Sequence, residues 1–111
     1  MSTDAKDKKL ALELEVFIRL HLKEDLTIDA LTGYFQVSGF TLQRVCRKVF
    51  HRSVHQFILD KRLEIAYTLI KDNKLPIKQI VSETGFKSVT TFTKEFHRKY
   101  NVTPGALRDA I

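Results

Sequence analysis

The feature that most constrains this chain is a two-sided helical pattern that occurs twice, about fifty residues apart. In the first copy Leu42, Val45, Cys46 and Val49 fall at i, i+3, i+4 and i+7, the spacing of one apolar helix face. Phe40, Gln43, Arg44 and Arg47 repeat that spacing two residues earlier and so lie on a different face. The second copy sets Val89, Phe92, Phe96 and Tyr100 against Thr90, Thr93, Lys94 and His97. In each helix one face suits a core and the other suits presentation.

Both copies follow a shorter apolar helix. Residues 26–31 align with residues 75–80 at an offset of 49, and residues 38–48 align with 88–98 at an offset of 50, the extra residue falling in the turn. Leu42 then meets Phe92, Arg44 meets Lys94, Cys46 meets Phe96, and Lys48 meets Arg98. A short helix, a turn and a second amphipathic helix is the helix-turn-helix plan. Two such units, each with a cationic second helix, suit a protein that touches a repeating polyanion twice.

The charge distribution agrees. Residues 1–39 hold five Lys/Arg and seven Asp/Glu, a net of −2, whereas residues 40–111 hold fourteen and six, a net of +8. The whole chain carries +6 and a pI near 9.6, which favours an anionic partner. A solvated lysine-rich surface would give the same totals. With 111 residues, 43% of them apolar, the chain can fill one or two small cores.

One cysteine excludes an intramolecular disulfide, and Cys46 sits on an apolar line where a small buried hydrophobe is expected. No apolar run reaches the length of a membrane span, and the first nine residues are too polar for a signal peptide. A cytoplasmic location is the expectation.

Periodicity is helical throughout, so the fold is expected to be all-α, with about seven helices. Residues 1–9 read as a flexible, frayed tail. Residues 10–52 read as the first helix-turn-helix subdomain, 53–71 as a long linker helix and 72–111 as the second subdomain. Thr27, Ser38, Ser88 and Thr103 are N-cap candidates, Gly33 marks a possible turn, and Pro76 suits the first position of a helix.

Two runs of residues carry a family resemblance. The first is Ser38-x-x-x-Leu42-x-Arg44, followed by Ser53, Phe57 and Lys61-Arg62-Leu63-x-x-Ala66-x-x-Leu69-Ile70. The second is Ile77-x-x-Ile80, Gly85-Phe86-x-Ser88-x-x-x-Phe92-x-x-x-Phe96 and Thr103-Pro104-x-x-x-Arg108. Together they resemble the AraC-type (AraC/XylS) DNA-binding domain over residues 10–108. The sequence departs from that pattern at Cys46, where phenylalanine is usual, and at His51, where glycine is common. Thr32 and Val81 replace alanines, and Leu107 replaces an aromatic.

The resemblance implies a bacterial transcription regulator whose two recognition helices enter successive turns of one major groove of double-stranded DNA. It implies that Phe40, Gln43 and Arg44 face base edges, with Arg47 and Lys48 near the backbone. In the second helix Val89, Thr90 and Lys94 take that place, with Thr91, His97 and Arg98 beside them. Gln pairs bidentately with adenine and Arg with guanine, each worth roughly 1–3 kcal/mol of discrimination, and Phe or Val can pack on a thymine methyl. The second helix has less bidentate chemistry, so the expectation is one reader and one anchor. A linker of about nineteen residues spans roughly 28 Å at about 1.5 Å per residue, comparable with the ~34 Å between successive major-groove faces.

Structural alternatives stand beside these roles. Arg44 could pair with Asp60 or Glu64, Arg62 reads as a half-buried structural arginine, and Phe86, Phe92 and Phe96 read as packing residues. For the whole chain the alternative is a helical protein-interaction module whose basic face binds an acidic partner; RNA polymerase is a candidate partner on either reading. No nucleophile with a base, paired carboxylates or Gly-rich phosphate loop is present, so neither enzyme nor cofactor is expected. His51 and His55 lack a third ligand, so no metal is expected either. No segment is left over for a sensory domain, which leaves open a stand-alone regulator or the DNA-binding part of a longer protein.

Overall fold

A computed structural model describes residues 2–111, with side chains from Asp4 onward. The described residues form seven α-helices and no strand, an all-α fold as expected. They are α1 Ser2–Leu20, α2 Ile28–Phe35, α3 Gly39–Phe50, α4 Val54–Asp72, α5 Ile77–Glu83, α6 Val89–Tyr100 and α7 Pro104–Asp109. Two compact units result, and the boundary between them falls inside α4, between Lys61 and Arg62.

In the first unit α1 and α2 both pack on α3. Its core holds Leu14 and Ile18 of α1, Leu31 of α2, Leu42, Val45 and Cys46 of α3, and Val54, Phe57 and Ile58 from the start of α4. The second unit buries Leu63, Ala66 and Ile70 of α4, Ile80 and Val81 of α5, and Phe92 and Phe96 of α6. The aromatic stripe is a packing stripe: ring centroids lie 5.1 Å apart for Phe86 and Phe92, 5.6 Å for Phe92 and Phe96, and 4.8 Å for Phe96 and Tyr100.

The duplication reaches the helix ends. Ser38 Oγ accepts the Thr41 amide at 3.1 Å and donates to Thr41 Oγ1 at 3.1 Å. Ser88 treats Thr91 in the same way, at 3.1 and 3.0 Å. Each hydroxyl satisfies an amide that has no partner inside the first helical turn. At the far ends His51 (φ 60°) and Asn101 (φ 58°) adopt the left-handed conformation and send their amides to the Arg47 and His97 carbonyls. Thr27 and Thr103 cap α2 and α7 as expected.

Three local expectations are corrected. Residues 2–9 are not a frayed tail but the opening turns of α1, because Asp4 and Asp7 bond to cations on α3 and anchor an otherwise polar segment; Met1 lies outside the described residues. Gly33 is inside α2, and the chain turns instead at Gln36, which takes the left-handed φ of 56°. Pro76 stands one position before the expected first turn, where its carbonyl accepts the Gln79 and Ile80 amides.

Candidate nucleic-acid interface

Burial of Leu42, Val45 and Cys46 on one side of α3 forces the opposite side outward. Phe40 is 77% exposed at the start of that side, a large apolar ring left in solvent. Arg47 is also exposed, and its guanidinium has no carboxylate partner among the described residues. Val89, 47% exposed, occupies the second unit's counterpart of Gly39 and opens α6. Thr90, Thr91, Lys94, His97 and Arg98 are exposed along α6 above buried Phe92 and Phe96. Of these, Arg98 pairs with Glu95 at 3.1 Å, an exposed link of little energetic consequence.

Three residues of α3 that were expected to be open are already bonded. Gln43 is half-buried, and its Oε1 accepts the Val54 amide at 3.0 Å, capping the first turn of α4. Arg44 grips Asp7 of α1 bidentately, Nη1 to Oδ2 at 2.9 Å and Nη2 to Oδ1 at 3.2 Å. Asp60, one of the two anticipated alternatives, accepts from Arg52 at 2.9 Å instead. Lys48 Nζ donates to Asp7 Oδ2 at 3.0 Å and to Asp4.

Asp7 is only 5% exposed, and accepts from both cations. Hydrogen bonds from Arg44 and then Lys48 hold its carboxyl down to about 2. Lys48 likewise lowers Asp4, while Asp7 raises Arg44 and the two acids raise Lys48. Sequence reasoning missed both acids as part of this face. The available signal was the net −2 of the opening segment, but nothing local indicated which distant cations those acids would meet.

This arrangement matches a known class of protein. A family described as a helix-turn-helix domain matches residues 31–110. Regulatory protein SoxS of Escherichia coli K12 is 30% identical over 104 residues, covering 94% of this chain and 97% of SoxS. The chain belongs to the AraC-type helix-turn-helix family. A transcriptional regulator of Chromobacterium violaceum with an AraC-type DNA-binding domain superposes at a TM-score of 0.85, with 25% identity over 95% of this chain and 94% of the other. The C-terminal domain of the response regulator AraT from Geobacillus stearothermophilus shares the fold at a TM-score of 0.83 and 24% identity, over 91% of this chain and 84% of that chain.

The protein is therefore a DNA-binding transcription regulator of the AraC-type family. Among the described residues no helix is long and apolar enough to cross a membrane.

Proposed function

We propose that α3 and α6 each enter a major-groove segment of the same double-stranded DNA, acting in the cytoplasm and without a catalytic role. The observation that carries this reading is the pair of Ser-capped helices, each backed by a buried apolar face and presenting a polar, cationic outer face. Their contacts are proposed to be Phe40 and Arg47 from α3, and Val89, Thr90, Thr91, Lys94, His97 and Arg98 from α6. Gln43, Arg44 and Lys48 belong to the same α3 face, held by their intramolecular partners. RNA polymerase is the proposed protein partner, because a regulator bound to DNA can act by contacting the enzyme that transcribes it.

Arg47 can fork onto guanine O6 and N7, and the Phe40 ring can lie on a thymine methyl. Lys94 and Arg98 can neutralise phosphates, which fixes register without reading sequence. Selection from random duplexes, followed by binding at several salt concentrations, tests this. Arg47→Ala is expected to cost about 1–3 kcal/mol and relax one base position. Lys94→Ala is expected to weaken all duplexes alike and lower the salt slope by about one unit. Equal affinity for selected and scrambled duplexes, or no binding at low salt, would favour an acidic protein partner instead.

A further inference from the structure

The outer face of α3 is held on both flanks. Gln43 is tied to the first amide of α4, while Arg44 and Lys48, one turn apart, are tied to Asp7 and Asp4 of α1. Phe40 and Arg47 remain uncommitted between them. This division bears on what α3 can read, since the side chain best suited to guanine by position already has both terminal nitrogens engaged.

The competition can be judged from chemistry. A guanine edge offers Arg44 two neutral acceptors in fork geometry, whereas Asp7 offers the same geometry with a full negative charge. Asp7 is 5% exposed, so departure of Arg44 would strip a desolvated carboxylate of two of its three hydrogen bonds. Exchange of the carboxylate for a base is therefore uphill on both sides. Lys48 is held less deeply, by exposed Asp4 as well as by Asp7.

Building on the proposed reading of α3 and α6, we propose that Asp7 is a specificity-determining residue, which withholds Arg44 from the duplex and leaves base reading by α3 to Arg47 and Phe40. Asp4 acts in the same direction on affinity by holding Lys48 away from phosphate. The acids of α1 thus set what α3 recognises without touching DNA themselves.

The test is selection from random duplexes by the full chain and by variants, with folding checked by circular dichroism. Asp7→Asn is expected to add a guanine preference at one position, roughly 5- to 150-fold over the other bases, and Asp7→Asn combined with Arg44→Ala is expected to lose it. Asp4→Asn, at an exposed position, is expected to tighten all duplexes and steepen the salt dependence by up to about one unit. Nitrogen-15 spectra of the Arg44 guanidinium in the unsubstituted protein give a readout independent of whether the Asp7 variant folds. Guanidinium resonances unchanged between free and duplex-bound protein support the proposal. It is overturned if they change on binding to a carboxylate-free pattern, or if the unsubstituted protein already shows a guanine preference that Arg44→Ala abolishes. Either result leaves duplex recognition intact, whereas failure to bind any duplex at low salt would overturn the underlying reading as well.

Discussion

Arg108 closes the C-terminal end of α4, and its removal gives a sharp test of how the second unit is held together. Its Nε and Nη2 donate to the Ile70 carbonyl at 3.3 and 3.1 Å, Nη2 also reaches Leu69 O at 3.3 Å, and Nη1 bonds to Leu75 O. Leu69 and Ile70 lie in the last turn of α4, whose carbonyls have no partner further along the helix. Ile70 O also receives the Asn73 amide at 3.1 Å, so it keeps a donor without Arg108. A hydrogen bond to a charged group contributes about 1.5–3 kcal/mol, and leaving a buried acceptor bare costs about 1–3 kcal/mol. With only Leu69 O and Leu75 O stripped, and both only half-buried, Arg108→Ala is expected to destabilise the second unit by about 2–4 kcal/mol. Arg108→Lys should recover less than half, because an ammonium cannot reach carbonyls on two sides of a planar fork. The chain has no tryptophan and three tyrosines, so tyrosine emission in a Tyr34→Phe background reports on Tyr67 and Tyr100 of the second unit during urea unfolding. A loss below about 1 kcal/mol in Arg108→Ala, or full stability in Arg108→Lys, would refute the capping argument.

Other outcomes follow from the same structure. The Asp7 carboxyl is held below its ordinary value of 3.8, at about 2, so its contribution to stability is fully present above pH 3.8 and is lost as pH falls through about 2. Urea midpoints between pH 5 and pH 2 should therefore decline less steeply in Asp7→Asn than in the unsubstituted protein; parallel declines would contradict this. His51→Gly is expected to stabilise by about 0.5–1 kcal/mol, since His51 pays a left-handed strain that glycine does not. Gly33→Ala should add about 1 kcal/mol, because an added Cβ meets nothing within 4 Å in the middle of α2. Thermal or urea unfolding checks both. Burial pushes the Cys46 thiol up to about 11, so it should resist aromatic disulfide reagents in the folded state and react once the chain is unfolded.

Periodicity and capping chemistry made most of the fold legible. Ser38 and Ser88 were recognisable because a hydroxyl before an apolar run has one local task, accepting an amide two or three residues on. Phe92 and Phe96 were recognisable as core because three-to-four spacing on one helix leaves no other face for them. Gly33 was misread because glycine only permits a turn. Gln36, which makes the turn, takes the left-handed conformation that closes α2 through its amide to the Thr32 carbonyl, a role that a glutamine does not announce in sequence. The opening segment was misread for a similar reason. Asp4 and Asp7 look like solvated charges until α1 is laid beside α3, and their partners are 44 and 37 residues away along the chain.

The asymmetry between the two helices also changes character once partners are assigned. By residue type α3 is the richer reader, having glutamine, two arginines and a lysine where α6 has threonines, a lysine, a histidine and an arginine. In the fold Gln43, Arg44 and Lys48 are engaged within the protein, whereas the Thr90, Lys94 and His97 side chains make no ion pair among the described residues. The chemical capacity of a helix and its available capacity are thus different quantities. Available capacity depends on what neighbouring elements have bonded first. For α3 the first turns of α1 hold that control, because the buried carboxylate of Asp7 needs its cations more than a neutral base edge does. On the proposed reading, recognition by α3 is a property of the α1 and α3 pair, and substitutions in α1 can alter it without altering any residue on the outer face of α3.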